Sequence, residues 1–147
     1  MTRSERLNPV RRVTEAREQD AARELGECQQ QLQRLQQQLL ELEGYRREYQ
    51  AHYQQSGQAG ITAQRLLQLQ QFLANIDKAV AQQQQEILAA ERRCEERRQR
   101  WFAARGRSQA LDKVAERYQE DERQQQGRRE QKESDEFALR GGPGRKK

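Results

Sequence analysis

Three features of this sequence have side chains suited to chemistry: one histidine, two cysteines and a run of arginines. His52 lies between Tyr49 and Tyr53, where it reads as an exposed histidine on a helix surface. Cys28 and Cys94 form no CxxC pair and cannot build a metal cluster with a single histidine. Both suit small fillers of a helical seam. Arg92, Arg93, Arg97, Arg98, Arg100, Arg105 and Arg107 could meet phosphate or an acidic protein. Glu91, Glu95 and Glu96 dilute that run, as on a solvated helix face. No phosphate-binding glycine loop, GxSxG or HExxH is present. The residues therefore offer no catalytic constellation, no metal ligands and no cofactor site.

The elements that position these side chains follow from composition. Of 147 residues, 33% are hydrophobic and 35% charged, and 27 are glutamine. Mean hydropathy is -1.35, too low for a compact core. A disordered chain and a helical rod with a narrow seam both fit such numbers. The two prolines, Pro9 and Pro143, lie near the ends, which favours the rod, because helix interiors exclude proline. The net charge of +5 combines 28 basic with 23 acidic residues, a mild balance for a nucleic-acid binder. No stretch approaches the ~20 apolar residues of a membrane span, and no apolar N-terminal core suggests a signal peptide, so a cytoplasmic location is expected.

Asn8-Pro9 reads as an N-cap followed by a first helical residue. Helix one is expected over about 9–55, a turn over 56–61 at Ser56-Gly57-Gln58-Ala59-Gly60, and helix two over about 62–139 with Thr62 as cap. Residues 1–140 form one domain in this reading, and the glycine-rich tail 141–147 is expected to be disordered. Leu25, Cys28, Leu32, Leu35, Leu39 and Leu42 alternate by three and four, continuing through Arg46, Tyr49 and Tyr53. The same alternation runs from Leu66 to Tyr118 with only Gln83, Arg97 and Ser108 polar. The fold class is therefore all-α, a long two-helix antiparallel coiled-coil hairpin.

Centring the hairpin on the glycine turn pairs residues whose numbers add to 115: Leu42 with Leu73, Leu39 with Ile76, Leu35 with Val80 and Cys28 with Ile87. Glu18 then meets Arg97. Cys28 and Cys94 fall one heptad out of layer, about 10 Å apart, too far for a disulfide. Leu7, Val10 and Val13 read as out of phase with Leu25, which implies a stutter near Arg17. Helix one covers its neighbour to about Ser108. Roughly 30 residues of helix two, about 45 Å, should then project alone, with Leu111, Val114, Ala115 and Tyr118 as an unpartnered stripe. Tyr45 and Phe72 take g positions opposite each other on one edge, with Gln38 and Ala79 one heptad on and Leu42, Tyr49 and Ile76 at the margin. These aromatic residues read either as interface anchors or as a thickening of the core beside the turn.

ELGECQQQL (Glu24–Leu32), GYRREY (Gly44–Tyr49), LQQFLANIDKAV (Leu69–Val80) and KESDEFALR (Lys132–Arg140) occur in this order. With the length and the position of the turn, they resemble the FliJ family of the bacterial flagellar type III export apparatus. The resemblance covers about Asp20 to Arg140. It implies a nonenzymatic stalk similar to the central stalk of rotary ATPases, with both termini inserted into the hexameric export ATPase. It also implies contact with the cytoplasmic domain of the membrane export gate, and escort of unloaded export chaperones. The matching gate-contacting positions are Gln38, Leu42, Tyr45, Tyr49, Phe72, Ile76, Ala79 and Gln83. The ring-binding positions would be Leu7, Val10, Val13, Leu111, Val114 and Tyr118. The resemblance further implies a cytoplasmic protein held at the inner membrane through the export apparatus, with no direct membrane insertion, no nucleic acid and no cofactor. Two alternatives stay open: the equivalent stalk of a virulence-type secretion system, and a basic helical protein that binds nucleic acid.

Overall fold

A computed structural model describes residues 1–141. They form two antiparallel α-helices, α1 (Arg3–Ala59) and α2 (Ala63–Gly141), and no strand is found among the described residues. Gly141 ends α2, and the remainder of the expected disordered tail lies outside the described residues.

Helix α1 starts at Arg3 rather than Pro9 because Thr2 and Glu5 form a capping box. The Glu5 N–H donates to Thr2 Oγ1 at 3.3 Å, and the Thr2 N–H donates to Glu5 Oε2 at 3.1 Å. Pro9 sits inside the helix, where it costs the Glu5 carbonyl its intrahelical donor. At the other end α1 runs through Gly57, a glycine that costs about 1 kcal/mol relative to alanine but does not break the helix. The reversal comes at Gly60, which has φ of 79°. The Ile61 N–H returns to the Ser56 carbonyl at 3.5 Å, the six-to-one bond of a Schellman motif. Thr62 then caps α2, its hydroxyl accepting from the Arg65 N–H at 3.3 Å.

Contacts divide the chain into two compact units, where the sequence reading treats 1–140 as one. In a two-helix seam each residue touches only its neighbouring layers, so contacts are local along the axis. One unit is Ala21–Trp101; the other joins Met1–Asp20 to the chain from Phe102 onward.

The Ala21–Trp101 unit contains the turn and sets the register. Gln83 Nε2 donates to Gln38 Oε1, the Tyr49 and Phe72 rings pack together, Arg46 pairs with Asp77, Gln70 donates to the Tyr53 hydroxyl, and Arg97 pairs with Glu24. Facing residue numbers in these pairs add to 121 or 123, so seam layers centre on 122 rather than 115. Leu35 therefore lies level with Ile87, Leu39 with Gln83, Leu42 with Val80 and Leu32 with Ala90. The difference is one heptad, and its cause is the turn: α1 extends to Ala59 and the reversal takes only Gly60 to Thr62. Arg97 consequently meets Glu24 at 3.2 Å and not Glu18. Cys28 and Cys94 share a layer instead of lying a heptad apart, and Cys28 is, after burial, among the neighbours that raise the Cys94 thiol.

Small side chains fill much of this seam. Ala90 is buried against the level of Leu32, Ser56 against that of Leu66, and only Ile76 and Ile87 are buried large residues. Two helices cannot enclose a large side chain on all sides, so burial falls to alanine and serine where backbones approach closely.

In the second unit the alternation continues without a stutter. Ser4, Leu7, Arg11, Thr14 and Glu18 are partly buried in step with Leu25, while Val10 and Val13 are 49% and 51% exposed. Leu7 is thus a seam residue, level with the buried Ala115, and Thr14 is level with the buried Ser108. Polar seam positions find partners: Arg11 pairs with Asp112 at 2.9 Å. Glu122 caps α1 from the neighbouring helix, its carboxylate accepting from the Ser4 hydroxyl at 2.7 Å and the Ser4 N–H at 3.0 Å. The first N–H groups of a helix have no intrahelical acceptor and carry partial positive charge, which is what a carboxylate there satisfies. Coverage of α2 therefore extends to Glu122 rather than Ser108, and only the exposed stretch beyond it lacks a neighbouring helix.

Two outcomes are expected. With Cys28 and Cys94 replaced by serine, Leu35→Cys with Ile87→Cys should crosslink readily on oxidation. Leu35→Cys with Val80→Cys should not, as non-reducing electrophoresis would read. Glu122 provides the second: the Ser4 hydroxyl first, then the Ser4 N–H, hold its carboxyl below the ordinary value of 4.5. A depressed carboxylate stabilises above its ordinary value and loses that effect as pH falls through the lowered one. Helical chemical shifts of Arg3–Leu7 should therefore move toward coil on acidification in the native chain. In Glu122→Gln they should already be displaced at neutral pH.

Candidate protein-interaction site

The two edges of the turn-bearing unit differ in chemistry. Along one edge α1 presents Gln36, Glu43 and Gln50 while α2 presents Gln70, Asp77 and Gln84, a wholly polar set tied by Arg46–Asp77 and Gln70–Tyr53. The opposite edge carries Gln38 and Tyr45 from α1, and Phe72 and Ala79 from α2. The corrected register changes who meets whom on this edge without moving anything off it. Phe72 packs on Tyr49, ring centroids 4.5 Å apart and tilted by 56°, rather than on Tyr45. Gln38 meets Gln83 rather than Ala79; the Gln83 amide donates to Gln38 Oε1 at 3.0 Å and to the Leu35 carbonyl at 2.9 Å. Between these two contacts the same register sets Leu42 level with Ala79 and Tyr45 level with Ile76.

The eight sequence-derived positions therefore form four successive levels of a single edge. Their exposure is unequal. Ile76 is 8% exposed and belongs to the core, whereas Tyr45 is 54% and Phe72 43% exposed. Leu42, Tyr49, Ala79 and Gln83 are half-buried, and Gln38 is exposed. Tyr49 props the Phe72 ring at the surface, so an aromatic face is held in place before any partner arrives. Such preorganised aromatic surface suits an interface anchor, because little side-chain freedom remains to be lost on binding.

At the chain ends the six remaining positions separate into two groups. Leu7, Leu111, Val114 and Tyr118 are half-buried within the unit of Met1–Asp20 and the chain from Phe102 onward. The Arg3 guanidinium lies 5.7 Å from the Tyr118 ring centroid. The stripe of Leu111, Val114, Ala115 and Tyr118 thus has an intramolecular neighbour, because α1 begins before Pro9. Val10 and Val13 keep half their surface exposed, on the side where Val114 lies level with Val10. Sequence reasoning missed the Thr2 to Glu5 capping box, whose spacing was the available signal, and the Ser4–Glu122 clasp, for which no local signal exists.

Among the described residues, no group of three or more His, Cys, Asp or Glu side chains is placed to hold a metal ion. No helix there is long and apolar enough to cross a membrane. An open cleft beside the start of α1 is lined mainly by polar residues, including Thr2, Arg3, Asp121 and Glu122.

Comparisons with known proteins agree with this architecture. The chain is similar to a solved structure of a YscO homologue from Chlamydia trachomatis, with a TM-score of 0.67, 22% identity and coverage of 90% of this chain and 91% of that one. At that identity the likeness speaks for the fold. It is 31% identical over 134 residues to the flagellar FliJ protein of Escherichia coli K12, covering 91% of each chain. It is 28% identical over 134 residues to that of Salmonella typhi, again covering 91% of each. The family model described as flagellar FliJ protein matches residues 3–147. A coiled-coil hairpin with this extent of agreement belongs to the FliJ family of flagellar protein export.

Proposed function

We propose that this chain is a nonenzymatic stalk and adaptor of the flagellar type III export apparatus. Its turn-bearing unit binds the cytoplasmic domain of the export gate, its terminal unit binds the export ATPase ring, and it escorts unloaded export chaperones. The observation that carries this reading is the half-exposed pair Tyr45 and Phe72, steadied by Tyr49, on the apolar edge of the turn-bearing unit. Membership of the flagellar family supports the flagellar over the virulence-type reading. For the ATPase contact the support is narrower than a whole apolar stripe, since Leu7, Leu111, Val114 and Tyr118 are half-buried. Val10 and Val13 are the surface that remains, together with the exposed α2 segment beyond Glu122.

Two measurements separate the ends. Tyr45→Ala with Phe72→Ala should weaken binding to the purified gate domain by at least about tenfold, the loss typical of an interface anchor. Helical signal and ATPase binding should change little. A loss of helicity comparable to that of Leu39→Ala would instead make the two aromatics core residues. Conversely, Val10→Ser with Val13→Ser, or truncation after Gly127, should reduce capture by the export ATPase more than capture by the gate domain. Equal losses at both would refute the assignment of the two ends.

A further inference from the structure

Cys28 and Cys94 are absorbed by no part of the proposed function. Both lie in the Ala21–Trp101 unit, both are free, and both are only partly buried. The register fixed by Arg97–Glu24 on one side and by the Gln83 bonds to Leu35 and Gln38 on the other puts them in one layer. They stand on opposing helices, so the packing of the seam sets their separation. Their neighbours leave the layer accessible: Arg97, at the next level, turns its guanidinium outward to Glu24 and stays 33% exposed.

We infer that Cys28 and Cys94 are a modification site, a thiol pair that closes to an intramolecular disulfide with a small-molecule disulfide as oxidant. One thiolate attacks a sulfur of the oxidant, forming a mixed disulfide and expelling one small thiolate. The second protein thiolate attacks the protein sulfur of that mixed disulfide and expels the other. Two protein thiols lose two protons and two electrons, and the oxidant becomes two small thiols. Burial, with the adjacent Cys28 next in effect, pushes the Cys94 thiol above its ordinary value of 9.0. The reaction is consequently slow near neutrality and accelerates with pH, since the thiolate is the nucleophile. The product ties α1 to α2 at the layer that defines their register, closing a loop that contains the whole turn.

The test uses the full chain, dilute and reductant-free, with oxidised glutathione as the probe. After quenching with iodoacetamide, non-reducing mass spectrometry should show a monomer lighter by two hydrogens, without alkylation, yielding a Cys28–Cys94 linked peptide. The rate should rise several-fold per pH unit below the thiol range. Cys28→Ser and Cys94→Ser should each stop at the glutathione adduct. In the oxidised chain, amide protection across Leu25–Leu39 should rise about tenfold or more, as expected of a crosslink spanning a long loop. Stable glutathione adducts on both cysteines of the native chain, or covalent dimers as the main product, would overturn the inference. Circular dichroism of the two serine variants, expected to match the native chain, excludes misfolding as the cause.

Discussion

The reversal at Gly60 is the constraint on which the facing of residues in the turn-bearing unit depends. A seam built from two helices has no sheet, layer or second core to correct an error in alignment. Once one residue adopts positive φ and the chain turns back within Gly60 to Thr62, the level of each side chain follows by counting. A heptad slip would leave apolar positions apolar, because the pattern repeats. What it would change is the set of specific encounters: Arg97 would lose Glu24, Gln83 would lose Gln38, and Phe72 would lose Tyr49. Turn geometry and these few polar and aromatic contacts thus share the work of choosing one register from several equally greasy ones.

Polar residues within the seam act in the same way at the chain ends. Arg11 and Ser4 occupy positions where leucine would bury more surface, yet each meets a carboxylate on α2. A partly exposed ion pair such as Arg11–Asp112 contributes little net stability. Its effect is on specificity, since a shifted alignment leaves Arg11 and Asp112 without each other.

Much of this was legible in the sequence, and the illegible part has a definite physical origin. Heptad spacing from Leu25 to Tyr118 states the fold class and which residues enter the seam, because burial on a helix follows a period of 3.5 to 3.6 residues. The same spacing is silent on which layer meets which. That depends on whether Gly57 or Gly60 takes the turn, and a glycine inside a last helical turn is too cheap to be excluded by inspection. The edge bearing Tyr45 and Phe72 could be read because edges are unaffected by a slip of one heptad. The pairing of Phe72 with Tyr49 could not be read, nor could the shared layer of Cys28 and Cys94. The start of α1 was obscured by Asn8-Pro9, which imitates a helix beginning, while Thr2 and Glu5 supplied the real one.

The Ser4–Glu122 clasp has a mechanical consequence. It sits at the mouth of its unit, where α1 begins and where α2 continues without a neighbour. A force separating the start of α1 from the adjacent part of α2 falls first on those two hydrogen bonds and only afterwards on the layer of Leu7 and Ala115. Bonds loaded one after another yield at low force, as a zip does. A force along the helix axes loads many layers together and is resisted by all of them. The unit is therefore soft to peeling and stiff to thrust, with the boundary between the two behaviours set by one carboxylate.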